Sequence, residues 1–95
     1  MYASHVEVQV QSGKTAEAIQ RTKDLIPQIG EIPKIKRFML IDKGDDKALF
    51  IAFYDTAEDQ EAAGPKAAEL LGRLADLFAA PPERKQVEVP INFSF

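Results

Sequence analysis

The segment Lys47–Asp55 is apolar on both of its sides, and this constrains the fold more than any motif in the chain. At the two-residue period of a strand, Ala48, Phe50, Ala52 and Tyr54 share one face, and Leu49, Ile51 and Phe53 share the other. A strand that is apolar on both faces must be covered on both. A chain of 95 residues hides only about 60–70% of its unfolded surface. One layer of helices from the same chain can cover one face. The second face calls for a second covering layer.

The remaining segments alternate strand and helix patterns. His5-Val6-Glu7-Val8-Gln9-Val10 alternates strictly, which predicts a half-buried strand with the valines inward. After the Ser12-Gly13-Lys14 turn, Ala18, Ile19, Thr22, Leu25, Ile26 and Ile29 fall at helical spacing from Thr15 onward. Pro27 predicts a kink or stop near the end of that stripe, and Gly30 suits a left-handed residue after it. Lys34–Asp42 reads as a second strand, joined to the third by the turn Lys43-Gly44-Asp45-Asp46, which is expected to be solvated. Thr56-Ala57-Glu58-Asp59 carries the Thr-x-x-acid signature of a capped helix start. Gly64-Pro65 predicts a bend or restart in that helix. Ala67, Leu70, Leu71, Leu74, Leu77 and Phe78 continue it to Pro81-Pro82, and Val87–Phe95 alternates as a last strand.

The order is β-α-β-β-α-β over a single domain, residues 1–95. It predicts an α+β, ferredoxin-like fold: a four-stranded antiparallel sheet with two helices on one face. The surplus apolar face of the third strand and the tail Pro90–Phe95 then predict a homodimer with sheets packed face to face.

Composition narrows the chemistry. Twelve Lys and Arg against 15 Asp and Glu give a net charge of −3, so no nucleic acid is expected as a partner. There is no cysteine, which removes disulfides and thiolate chemistry. No apolar run approaches the ~20 residues of a membrane helix, and no signal-peptide pattern is present; no membrane association and a cytoplasmic location are expected. Carboxylates are scattered, no phosphate loop or GxSxG occurs, and no metal or other cofactor is expected.

Over essentially its whole length the chain resembles the dimeric α+β barrel superfamily, and most of all its antibiotic-biosynthesis-monooxygenase-type proteins. The resemblance rests on the element order, on Ile29-Gly30-Glu31-Ile32-Pro33, on Phe53-Tyr54-Asp55-Thr56-Ala57-Glu58 and on Val87-Glu88-Val89-Pro90. Stress-responsive barrels of the same superfamily also carry a first-strand histidine, as His5 is here. These are scaffold features, which transfer fold better than activity. The resemblance implies either a cofactor-free monooxygenase-like enzyme on an aromatic or polyketide-type substrate, or a non-catalytic barrel binding a small apolar ligand or serving as an accessory protein. The family's oxygenating members use tryptophan, asparagine, tyrosine and arginine, whereas this chain has no tryptophan and a single asparagine. The haem-cleaving members need a helical histidine, and the one histidine here lies on a strand.

Four residues are candidates for a site. His5 is the only side chain with an unperturbed pKa near neutrality and is the candidate base. Arg37 can hold a ligand oxyanion or pair with Glu7 or Glu88 across a dimer. Tyr54, immediately before the second helix, can orient a ligand through its hydroxyl. Asn92 can donate to a ligand carbonyl. Phe38, Phe50, Phe53 and Phe78 are either pocket wall or ordinary core. A pocket is expected between the sheet and the second helix, near Gly64-Pro65.

Overall fold

The computed structural model describes residues 1–95. Its elements are β1 (Tyr2–Gln9), α1 (Thr15–Asp24), α2 (Ile26–Ile29), β2 (Arg37–Gly44), β3 (Lys47–Tyr54), α3 (Ala57–Ala62), α4 (Gly64–Gly72), a 3-10 turn (Ala75–Leu77) and β4 (Glu83–Glu88). The sheet has four strands in the order β2-β3-β1-β4, with every neighbouring pair antiparallel. This is the ferredoxin-like α+β arrangement.

The alternation in β1 sets the two sides. Val6, Val8 and Val10 are buried with Ala48 and Phe50 of β3, and Leu74, Leu77 and Phe78 close over them. A second apolar cluster holds Ile29, Ile32, Tyr54, Ala63 and Leu70, and Leu25 and Phe38 pack against both clusters. The helical residues in both clusters meet the same sheet face, so all helices lie on one side.

Each predicted helix is divided in two. Pro27 lies in the first turn of α2, where its missing amide leaves no gap, and the division falls at Leu25. Pro65 does the same for α4 after the fully buried Ala63. The predicted cap is formed: the Asp59 amide donates to Thr56 Oγ1 at 3.1 Å.

Several boundaries differ from the sequence reading. Gly30 is not left-handed but helical, at φ −64°. Lys34 instead takes φ +61°, which keeps it out of β2 and starts that strand at Arg37. The hairpin turn is tighter than expected and is not merely solvated. Asp45 and Asp46, both at positive φ, form its two-residue centre. The Asp46 carboxylate accepts from Thr15 Oγ1 at 2.7 Å and from the Gly13 amide at 3.3 Å, tying the hairpin to the start of α1. The last strand spans Glu83–Glu88, earlier than Val87–Phe95. Its ladder ends when the Val89 amide donates to the Met1 carbonyl at 2.9 Å, because Pro90 has no amide to continue it.

The face away from the helices stays open. The registers bring Met39, Ile51, His5 and Lys85 into one row across it, with Arg37, Phe53, Ala3 and Val87 in the next. Met39, Ile41 and Val87 are exposed there, and Ile91, Phe93 and Phe95 of the tail are more exposed still. No helix is long and apolar enough to cross a membrane.

Candidate functional site

Between the two apolar clusters lies a cavity of about 60 Å³. Of its 15 lining residues 12 are hydrophobic, and the surface that it presents is apolar. Phe38 and Phe50 stack with centroids 6.0 Å apart on the sheet wall. Leu70 and Leu71 of α4 and Leu74, just beyond its end, form the opposite wall. Thr22 Oγ1 also lines it but donates back to the Ala18 carbonyl at 2.7 Å, which satisfies it within α1.

The remaining polar residues of the lining are Ser4, Tyr54 and Arg84; Arg84 reaches Ser4, and its charge is near enough to act on Tyr54. Ser4 is in phase with Val6 and Val8, so the strand period aims it under the helices. Its hydroxyl accepts from Gln60 Nε2 of α3 at 2.6 Å and from an Arg84 guanidinium nitrogen at 3.4 Å. Arg84 sits opposite Val6 on β4 and therefore also faces the helices. Its guanidinium lies against Gly64, where an added Cβ would stand 3.7 Å from it.

Tyr54 is 0% exposed, and its hydroxyl has no hydrogen-bond partner. Burial pushes the phenol pKa above its usual value of 10.0, with the nearby charge of Arg84 opposing the shift. The folded protein therefore holds the Tyr54 proton at a pH where the unfolded chain releases it. That contribution to stability is complete below about pH 10 and is lost as pH rises through the folded value. Denaturant titrations at increasing alkaline pH should show a loss in the native protein that Tyr54→Phe lacks. Equal losses in both would mean that Tyr54 ionises as readily folded as unfolded.

The structure separates the four sequence candidates. Tyr54 alone reaches the cavity. His5 lies on the open face, flanked by Ile51 and Lys85. Arg37 is exposed at the start of β2 on the same face, and Glu7 pairs within the chain with Lys43 at 3.7 Å. Asn92 lies in the exposed tail, its side-chain amide 3.3 Å from the Met1 sulfur. Of the phenylalanines, Phe38 and Phe50 line the cavity, Phe53 is on the open face and Phe78 belongs to the first core cluster.

Ser4, Gln60 and Arg84 were missed. A sequence signal existed for Ser4, since it continues the buried phase of Val6, Val8 and Val10 by one step. None existed for Arg84, because alternation on an edge strand gives a phase without saying which phase faces the helices. No group of three or more histidine or carboxylate side chains is placed to hold a metal.

No family model matches the chain, and no curated protein sequence matches it. Solved structures do. An antibiotic biosynthesis monooxygenase-type protein from Nitrosomonas europaea superposes with a TM-score of 0.77 at 21% identity, over 96% of this chain and 100% of that one. A protein of unknown function from the same organism gives 0.82 at 17%, over 98% and 92%. A MhuD variant, with two manganese protoporphyrin IX bound per active site, gives 0.75 at 16%, over 100% of both chains. A porphyrin does not fit the cavity of the present chain. About 60 Å³ is far below the roughly 300–1,000 Å³ of pockets for drug-sized ligands, and no imidazole lines it. Across nearly its whole length, the chain has the fold of the antibiotic biosynthesis monooxygenase-like proteins.

Proposed function

We propose that this protein is a homodimeric α+β barrel that takes a small aromatic or polyketide-type molecule into the cavity between sheet and helices, without a cofactor. The observation that carries the reading is the Tyr54 hydroxyl, wholly buried on an apolar wall and lacking a partner. Native proteins rarely leave such a group unpaired. A ligand oxygen at the cavity supplies the missing acceptor, and the stacked Phe38 and Phe50 suit a planar body. The present volume is below the ~150 Å³ of an engineered cavity that binds benzene. An aromatic ring therefore enters as α4 shifts at the Ala63–Gly64 joint. Two copies meet through the open sheet face, covering Met39, Ile41, Leu49 and Ile51, with the tail phenylalanines at the margin.

Binding is the reading the geometry supports best, because no histidine or carboxylate lines the cavity to act as a base, and burial keeps Tyr54 protonated. The second reading is a cofactor-free monooxygenase-like activity. Arg84 favours it, since a guanidinium beside the ligand stabilises a substrate that ionises on its own acidity.

Thermal melting with 1-naphthol and anthrone tests the first reading, and oxygen uptake on any binder tests the second. At a ligand concentration a hundredfold above Kd the stabilisation is about 2.7 kcal/mol. For a domain of this size that raises Tm by roughly 10–20 °C. Melting unmoved by either compound at its solubility limit would remove the ligand-binding reading.

A further inference from the structure

The open sheet face is divided lengthwise by chemistry. One row across it holds Ile41, Leu49, Glu7 and Glu83, and the next holds Met39, Ile51, His5 and Lys85. In both rows β2 and β3 supply only apolar side chains, and β1 and β4 supply only ionisable ones. Along β4 the charge changes sign from Glu83 to Lys85, and both residues are exposed. In aligned stacking, where the strands of two sheets differ in direction by about 30°, a two-fold axis runs either along the strands or across them. A central axis along the strands lays the apolar half of one copy on the charged half of the other, which is costly. Moved over the β2–β3 seam, that axis covers a strip of only about 26 Å by 10 Å for two strands of eight residues. A stable interface buries roughly 800 Å² per partner. An axis across the strands uses the whole face, apolar half on apolar half and charged half on charged half. Charge then decides the sliding position. An axis on the first row sets Glu7 on Glu7 and Glu83 on Glu83, and an axis on the second sets Lys85 on Lys85. An axis between the two rows sets Glu83 on Lys85, Glu7 on His5, Leu49 on Ile51 and Ile41 on Met39. At the rim Arg37 then stands over Lys43, whose charge is already met by Glu7 of its own chain at 3.7 Å.

We propose that the β1–β4 half of the open face is a selectivity element for self-association: it admits a second copy of this chain with the two-fold axis across the strands, between the Glu7 and His5 rows, so that Glu83 of each copy pairs with Lys85 of the other. The inference rests on the dimer of the proposed function and adds its register and its choice of partner. The apolar half supplies affinity without distinguishing registers, because hydrophobic contact is non-directional. The charged half supplies the distinction, because opposed like charges penalise wrong registers and wrong partners.

Charge reversal tests this by sedimentation equilibrium of the whole chain. Glu83→Lys and Lys85→Glu should each weaken dimerisation about tenfold or more, because either change sets two like-charged pairs across the axis. The double reversal should recover the native affinity to within about threefold. An equimolar mixture of the two single variants should form a mixed dimer tighter than either variant forms alone, since every pair across the axis is again of opposite sign. Both positions are exposed on an edge strand, and circular dichroism checks that the variants are folded. Single reversals that dimerise as tightly as the native chain would overturn the register while leaving the dimer intact. So would weakened single variants with no recovery in the double reversal or the mixture. A native chain that is monomeric at every concentration would overturn both.

Discussion

Ile51→Asp should leave the protein monomeric, with dimer affinity reduced at least a hundredfold. Ile51 stands on the open sheet face, between Met39 on one side and His5 on the other. In the proposed dimer that position is central and dry. Two-fold symmetry introduces two carboxylates at once, and a desolvated, unpaired carboxylate costs several kcal/mol. The helices pack on the opposite face, so the subunit fold is expected to survive. Sedimentation velocity at micromolar concentration should show a two-subunit mass for the native chain and a one-subunit mass for the variant, with unchanged far-ultraviolet circular dichroism. A native chain that sediments as a monomer at every concentration would contradict the interface itself.

Tyr54→Phe should move stability and binding in opposite directions. A buried hydroxyl without a partner costs about 1–3 kcal/mol. Removing it while keeping the ring should stabilise the free protein, with an increase in Tm of at least about 4 °C. The same change removes a donor from the ligand, and affinity for 1-naphthol should fall about tenfold. Chemical denaturation and calorimetric titration on one preparation read both. A variant that is less stable and binds equally well would show that Tyr54 is a satisfied core residue with no role toward a ligand.

The parts of the fold legible in the sequence are those fixed by local chemistry. Val6, Val8 and Val10 announce a buried strand face because the period of a strand is two. Thr56 announces a helix start because its side chain can accept from the amide three residues on. Pro27 and Gly64-Pro65 announce interruptions because proline lacks a donor. Tyr54 was legible for its place at the strand–helix junction. The rest depends on distant contacts. Asp46 reads as a turn residue, and only the folded chain brings it to Thr15. The last strand reads as an alternating segment from Val87 onward, yet its pairing is set by Tyr2–Glu7, which recruits the charged stretch Glu83–Glu88 in its place. That same choice of register turns Arg84 toward the helices. His5 and Arg37 lie on the other side of the sheet from the cavity.

The division of the core has a mechanical meaning. Leu25 and Phe38 pack against both apolar clusters, and the unfilled volume lies between those clusters. Compression favours whichever state eliminates such voids, so hydrostatic pressure acts on this molecule first at the seam between its clusters. A ligand seated there takes up that volume. Occupancy would then be felt as stiffness: the place where an empty subunit yields most easily becomes the place where a filled one resists.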